Sequence, residues 1–160
     1  MLTIWKPSVT VAALIEREGR FLLVEEHTGD GLMLNQPAGH LDPGESLVAA
    51  CAREALEETA HVFTPEALLG TYLARSRSRM TGEAVTYLRF AFTGTLGERI
   101  AGRTLDEGIV RTLWLTPDQL RAESHRHRSP LVMQCVDDYT AGARYPLALV
   151  HTHPSALEAA

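Results

Sequence analysis

Cysteine is scarce in this chain and carries no pattern. Cys51 and Cys135 are the two present, and their spacing matches no zinc or redox motif. A chain of 160 residues needs no such staple, because a domain of that size buries roughly 70% of the surface its unfolded form exposes. Positive charge is also short. Fifteen Lys plus Arg stand against twenty Asp plus Glu, for a formal net charge of −5. That argues against nucleic acid polymers or anionic membranes as partners, since both are gripped through clustered positive charge. No apolar run approaches the roughly 18 residues of a membrane span. The start, MLTIWKPSVT, lacks the charged opening, apolar core and small-residue cleavage site of a signal peptide. A reducing, cytoplasmic setting is the expectation. Hydrophobic residues at 45% and charged residues at 22% are ordinary for a globular domain.

The pattern along the chain predicts an α/β fold, a mixed sheet with helices packed on it, in a single domain over residues 1–150. A loose tail is expected over 151–160. Val9 to Ile15 and Phe21 to Val24 read as strands of an early hairpin around the polar turn Glu16 to Arg20. Asp42-Pro43-Gly44-Glu45 suits a type II turn, and Ser46 is placed to cap a helix running to Thr59 or His61. Leu68 to Ala74 and Val85 to Phe92 read as further strands, and Gly94 to Gly108 as a loop. Arg111 to Leu115 reads as a short strand. Thr116-Pro117-Asp118-Gln119 has the pattern of a capping box with Pro in the first turn. Ser129-Pro130 opens a last helix that Gly142 ends.

The informative helix starts at Ser46. Glu54, Glu57 and Glu58 stand at i, i+3 and i+4, within an arc of roughly 100°. Val48, Ala49, Ala52, Ala55 and Leu56 are expected to cover the sheet-facing side, and Cys51 reads as a small core residue at the edge of that arc. Like charges at such spacings cost a few tenths of a kcal/mol per pair on an exposed helix, and they lie toward the end where the dipole disfavours anions. Helical stability alone does not select this arrangement. A divalent cation turns the repulsion into a site, and Mg²⁺ in particular takes hard oxygen ligands shared with substrate phosphates. The plain alternative is a solvated acidic face, partly neutralised by Arg53 paired with Glu57.

The segment from Gly39 to His61 resembles the signature of the Nudix hydrolases, G-x5-E-x7-R-E-U-x-E-E-x-G-U, where U is a bulky aliphatic residue. Gly39, Glu45, Arg53, Glu54, Glu57 and Glu58 all fall in register. Ala60 stands where the family has Gly, His61 where it has an aliphatic residue, and Ala55 is a small occupant of the first aliphatic position. If the chain takes positive φ at position 60, Ala costs about 1 kcal/mol relative to Gly; otherwise the turn is reshaped and the helix runs on. Flanking stretches resemble the NudJ-type branch of that family over roughly residues 5 to 150: Lys6 to Ala12, Asn35 to Leu41, Leu88 to Phe90, Arg128 to Val132 and Arg144 to Leu147.

The resemblance implies an α/β/α sandwich around a mixed sheet and a metal-dependent hydrolase of phosphoanhydride bonds. The carbonyl of Gly39 and the side chains of Glu54, Glu57 and Glu58 would hold Mg²⁺, or Mn²⁺ in its place. Glu54 is the first candidate for the base, with Asp106 and Glu107 of a later loop as the others. Arg53 and Glu45 match positions that support the glutamates. Gln36 and Arg89, in the flanking matches, are candidate substrate contacts. So are Arg75 and Arg77, which with Arg79 point one way if that segment is extended and whose planar forks match phosphate oxygens; a solvated strand edge is the plainer explanation of the row. His40 lies inside the signature loop, where ordering the loop is its plainer role and contact with substrate or metal the alternative. The basic loop His125 to Arg128 before the last helix could reach substrate, with charged surface as the default. Trp5 and Tyr87 could stack on a base, with core packing the commoner role. The branch suggests small diphosphate esters as substrates: hydroxymethylpyrimidine diphosphate, thiamine diphosphate, or nucleoside di- and triphosphates. Dinucleotides or nucleotide sugars are the first alternative. A binding or regulatory domain without turnover is the second, and it is disfavoured because all three carboxylates are present. Oligomeric state is not legible.

Overall fold

The computed structural model describes residues 1–158. Nine strands and three α-helices are described: β1 (Ser8–Leu14), β2 (Glu16–Arg17), β3 (Arg20–Thr28), β4 (Gly31–Asn35), β5 (Ala38–His40), α1 (Leu47–Thr59), β6 (His61–Arg77), β7 (Ala84–Arg99), β8 (Ile109–Leu115), α2 (Pro117–Ala122), α3 (Leu131–Thr140) and β9 (Tyr145–Pro146). A five-stranded sheet runs β5-β1-β7-β6-β9. It is mixed, because β1 and β7 are parallel while its other pairs are antiparallel. A second sheet gathers β2, β4 and β8 around β3.

Strand alternation explains the layering. Along β1, Ala12 and Leu14 pack with Val132, Cys135 and Val136 of α3. Val11 and Ala13 point the other way and pack with Ala50, Cys51 and Ala55 of α1. Period-2 side chains thus give the main sheet two apolar faces, each covered by a helix. This is the α/β/α sandwich expected from the resemblance.

Several boundaries differ from the sequence reading. β1 does not form a hairpin with β3; it pairs with β5 and β7, and only Ile15 with the two-residue β2 turns back toward β3. β7 runs on to Arg99 through the stretch expected to be a loop, because β6 starts at His61 and pairs with it along its whole length. The short strands β4 and β5 have too few residues to show a pattern, yet β5 forms the edge on which the site is built. Around α1 the sheet-facing stripe is rotated from the expected one: Ala50, Cys51 and Ala55 are buried while Ala49 is exposed. Buried Glu58 lies at the end of that stripe. The last helix ends as expected before Gly142, whose φ is 89°. In the expected tail, residues 154–156 form a 3-10 turn, and positions 159–160 lie outside the described residues.

Candidate active site

The site begins with the cap of α1. Ser46 Oγ accepts from the Ala49 N–H at 3.0 Å, which fixes where the helix starts and hence where its carboxylates emerge. At the far end Ala60 takes the left-handed conformation at φ 60° and donates its N–H to the Leu56 carbonyl. Of the two outcomes open at this position, the strained one is realised. The helix stops where a glycine would stop it, and the strain costs about 1 kcal/mol.

Arg53 organises one side of the cluster. Its Nε and Nη2 donate to Glu45 at 3.0 and 2.7 Å, a bidentate fork. Its Nη1 reaches Glu54 at 2.9 Å and Glu57 at 3.1 Å, and Nη2 also donates to the His40 carbonyl at 2.9 Å. The fork holds the Glu45 carboxyl below its usual range. Arg53 therefore ties the loop before the helix to two of the three helix carboxylates.

Glu58 lies on the other side, 7% exposed. Its Oε2 accepts from the Ala38 N–H on the free edge of β5 at 3.0 Å. Burial pushes its carboxyl up to about 9; the Ala38 N–H opposes this, while the nearby charges of Glu26, Glu54 and Asp106 add to it. Burial also raises Glu54, with Arg53 pulling the other way. Gly39 lies against Glu54. A Cβ at that position would stand 2.1 Å from the Glu54 Cδ, so a larger residue would push the carboxylate off the position in which Arg53 holds it.

Glu26 is the residue that sequence reasoning missed. It projects from β3 into the same cleft. Its Oε1 is buried without a hydrogen-bond partner among the described residues, although Arg128 Nε lies 3.2 Å away. The approach is close but misaligned, so the contact is coulombic only. Burial raises the Glu26 carboxyl, and Arg128 offsets part of that. The one available signal was a second acidic residue directly following the apolar run Phe21 to Val24.

The cleft holds about 690 Å³, within the range of small-molecule sites. Its floor is the α3-side face of the main sheet, with Thr10, Ala74, Ser76, Tyr87 and Arg89 among its residues. Asp30 and Asn35 line the wall from the second sheet, and Arg128 and Ser129 line the wall from the segment before α3. Arg89 is brought in as expected. Gln36 is not: it is 1% exposed, lies behind Arg89 and bonds to it. Arg75 and Arg77 alternate with the floor residues Ala74, Ser76 and Ser78, so they occupy the opposite, exposed face of β6. Arg77 donates to the Gly82 carbonyl at 2.6 Å, within its own hairpin. In the later loop, Asp106 is the residue whose charge bears on Glu54 and Glu58. Its N–H donates to the Glu57 carbonyl at 3.0 Å. Glu107 is exposed and, among the described residues, its side chain forms no hydrogen bond or ion pair. Trp5 is 68% exposed and lies outside the cleft lining, whereas Tyr87 lines the cleft with its ring 6.4 Å from that of His40.

Among the described residues no three acidic, His or Cys side chains already converge as the ligands of one cation. Arg53 draws Glu54 and Glu57 toward itself, and Ala38 holds one oxygen of Glu58. The donor set nevertheless fits a hard divalent cation. Its oxygens are carboxylates, Glu58 is buried, Glu26 is half-buried with one buried oxygen orphaned, and the backbone of Gly39 is held against Glu54.

The NUDIX domain family matches residues 5–135. The chain is 36% identical over 146 residues to "Phosphatase NudJ" of Escherichia coli strain K12, covering 91% of this chain and 92% of that protein. A solved NUDIX hydrolase from Nitrosomonas europaea is 51% identical with a TM-score of 0.85, covering 93% of this chain and 99% of the other. A MutT NUDIX hydrolase from Burkholderia pseudomallei shares the fold at 19% identity and a TM-score of 0.66, over 84% of this chain and 98% of its own.

Proposed function

The chain belongs to the Nudix hydrolase family, and from that membership we propose that it cleaves small organic diphosphates by attack of water at phosphorus, with Mg²⁺ or Mn²⁺ as cofactor. The class of reaction, hydrolysis of a phosphoanhydride bond, comes with the family. The observation that carries the finer reading is the pairing of Gly39 with Glu54 and of Ala38 with Glu58, which puts carboxylates and a strand edge on one cleft margin. The Gly39 carbonyl, Glu54, Glu57 and Glu58 would hold the cation, with Glu26 beside them. When bound, such an ion neutralises phosphate charge and lowers the pKa of coordinated water.

The remaining work falls to the chain itself. Arg53 fixes Glu54 through Oε1, which leaves Glu54 Oε2 as the atom that takes a proton from the attacking water. Arg128 lines the cleft beside Glu26 and supplies positive charge to a departing phosphate. The volume suits one nucleotide-sized or smaller ester. The substrates suggested by the branch, hydroxymethylpyrimidine diphosphate, thiamine diphosphate and nucleoside di- and triphosphates, fall in that class.

The test is phosphate release from a diphosphate panel with Mg²⁺, Mn²⁺ or a chelator. Glu58→Gln and Glu57→Gln should each lower kcat at least about hundredfold while the melting temperature holds. Near-normal turnover in either variant at limiting Mg²⁺ contradicts the assignment.

A further inference from the structure

Arg89 is 5% exposed and, among the described residues, pairs with no carboxylate. Its Nη1 donates to Gln36 Oε1 at 3.0 Å and approaches Cys135 Sγ at 3.9 Å, and its Nη2 donates to Asn35 Oδ1 at 3.0 Å. A guanidinium has five N–H donors. One on Nη2 and the one on Nε remain uncommitted, and Arg89 lines the cleft. A buried guanidinium with neutral partners is expensive unless something else accepts from it.

The chemistry fixes the orientation of the surrounding amides. Arginine only donates, so Asn35 must turn its oxygen to Arg89, which leaves its NH₂ as a donor. Asn35 also lines the cleft. Gln36 is locked the same way, because its Nε2 donates to the Val132 carbonyl at 2.7 Å. At this end of the cleft the uncommitted N–H groups of Arg89 and the NH₂ of Asn35 are therefore free donors, while the Asn35 oxygen is already engaged by Arg89.

Its position points to the organic half of a substrate. Arg89 of β7 is in register with Thr10 of β1, and Thr10 with His40 of β5. Two strand spacings, about 10 Å, separate it from the edge where the carboxylates lie. Adjacent phosphorus atoms of a diphosphate sit much closer together than that. Tyr87 lines the floor one pleat away on the same face, in place to support a ring.

We propose that Arg89 and Asn35 form the subsite that selects the organic group, and that they take a heteroaromatic ring with two adjacent hydrogen-bond acceptors on one edge, as a 6-oxopurine presents. An amino group at that edge meets N–H donors and is disfavoured, so within the proposed substrate class 6-oxopurine nucleotides are preferred over adenine nucleotides and over the aminopyrimidine diphosphates. The proposal rests on the cleft being a diphosphate hydrolase site.

Inosine and adenosine 5′-diphosphates differ at this edge by oxo against amino. Their affinities are compared by calorimetry, and their kcat/KM by phosphate release, both with Mg²⁺. The inosine compound should bind about tenfold or more tightly, with the difference carried by KM. Asn35→Asp keeps the acceptor for Arg89 and replaces the free donor with an acceptor, so the preference should vanish or invert. Arg89→Lys keeps the charge without the fork and should flatten it too. Equal affinities in the wild type overturn the subsite, as does an unchanged preference in whichever of the two variants melts like the wild type. Selective binding without phosphate release leaves the subsite standing and removes the hydrolase reading instead.

Discussion

Glu25 and Glu26 are neighbours on β3 and meet opposite fates. Glu25, 3% exposed, has both oxygens engaged, one by Arg111 Nε at 2.9 Å and the other by Arg126 Nη1 at 2.6 Å. Arg111 first, and Arg126 with it, hold its carboxyl below the usual range against the pull of burial. Glu26 points to the other face of the strand. One of its oxygens is orphaned, and burial raises its carboxyl. The same residue type, one position along, is a clamp on one side and an open valence on the other. A buried carboxylate that the fold has satisfied holds structure together. One left unsatisfied in a cleft costs stability, and a ligand that completes it offsets that cost.

The crossed substitutions should separate the two roles most strongly. Glu25→Gln removes the charge that Arg111 and Arg126 share, although Arg126 keeps Glu123 at 2.7 Å, and should cost about 2 kcal/mol, because breaking one side of a buried pair leaves its partner less compensated. Arg111 is 60% exposed, which keeps the figure below that of a fully buried pair. At this size each kcal/mol lowers the melting temperature by about 2–4 °C. Turnover per folded molecule should stay within a few-fold. Glu26→Gln should do the reverse, leaving the metal-free melting temperature equal or higher while turnover falls about tenfold. Melting curves and phosphate release on both variants decide the matter. A Glu26→Gln protein that unfolds more easily yet works normally breaks the contrast.

How much of this was readable beforehand follows the same line. The helix carboxylates, Arg53 and Gly39 lie in one continuous segment with fixed spacing, so sequence places them together. Glu26, Asn35 and Arg128 come from three separate elements, and what joins them is the pairing of β3 with β4 and the docking of the segment before α3. No local pattern encodes that. The arginine row failed for a related reason. Alternation correctly put Arg75 and Arg77 on one face, but only the sheet order and the side taken by α3 decide which face the cleft uses. Gln36 was right in neighbourhood and wrong in role, since its carbonyl serves Arg89.

A smaller effect, with opposite signs at the two glutamates, should appear in the pH dependence of metal-free stability. A depressed carboxyl such as Glu25 contributes stability above its unfolded pKa, lost as pH falls through the folded value. A raised carboxyl such as Glu26 contributes stability below its unfolded pKa, lost as pH rises toward the folded value. Each unit of displacement is worth about 1.4 kcal/mol. Compared with wild type, Glu25→Gln should therefore weaken the loss of stability below the ordinary carboxylate range, and Glu26→Gln should weaken the loss above it. Melting temperature against pH for the three proteins gives both slopes. Identical profiles would mean that the two side chains share one environment after all.

The least effect is expected at Ala60, and it tests whether strain can be removed beside the site without touching a carboxylate. Ala60 N–H closes the helix on Leu56, and the Ala60 carbonyl accepts from Ile100 at 2.7 Å, so the left-handed backbone is held from both sides. Ala60→Gly keeps those bonds and removes the Cβ penalty. A glycine also gains freedom when unfolded, so the net stabilisation should be below about 1 kcal/mol. Glu57 and Glu58 are held by Arg53 and Ala38, and neither contact passes through residue 60. Stability should then rise with kcat and KM unchanged, as at a position whose energetics belong to the fold alone. A change in kcat would mean that the strained exit sets the aim of Glu57 and Glu58. The division between residues that hold the fold and residues that await a ligand would then fail on α1 itself.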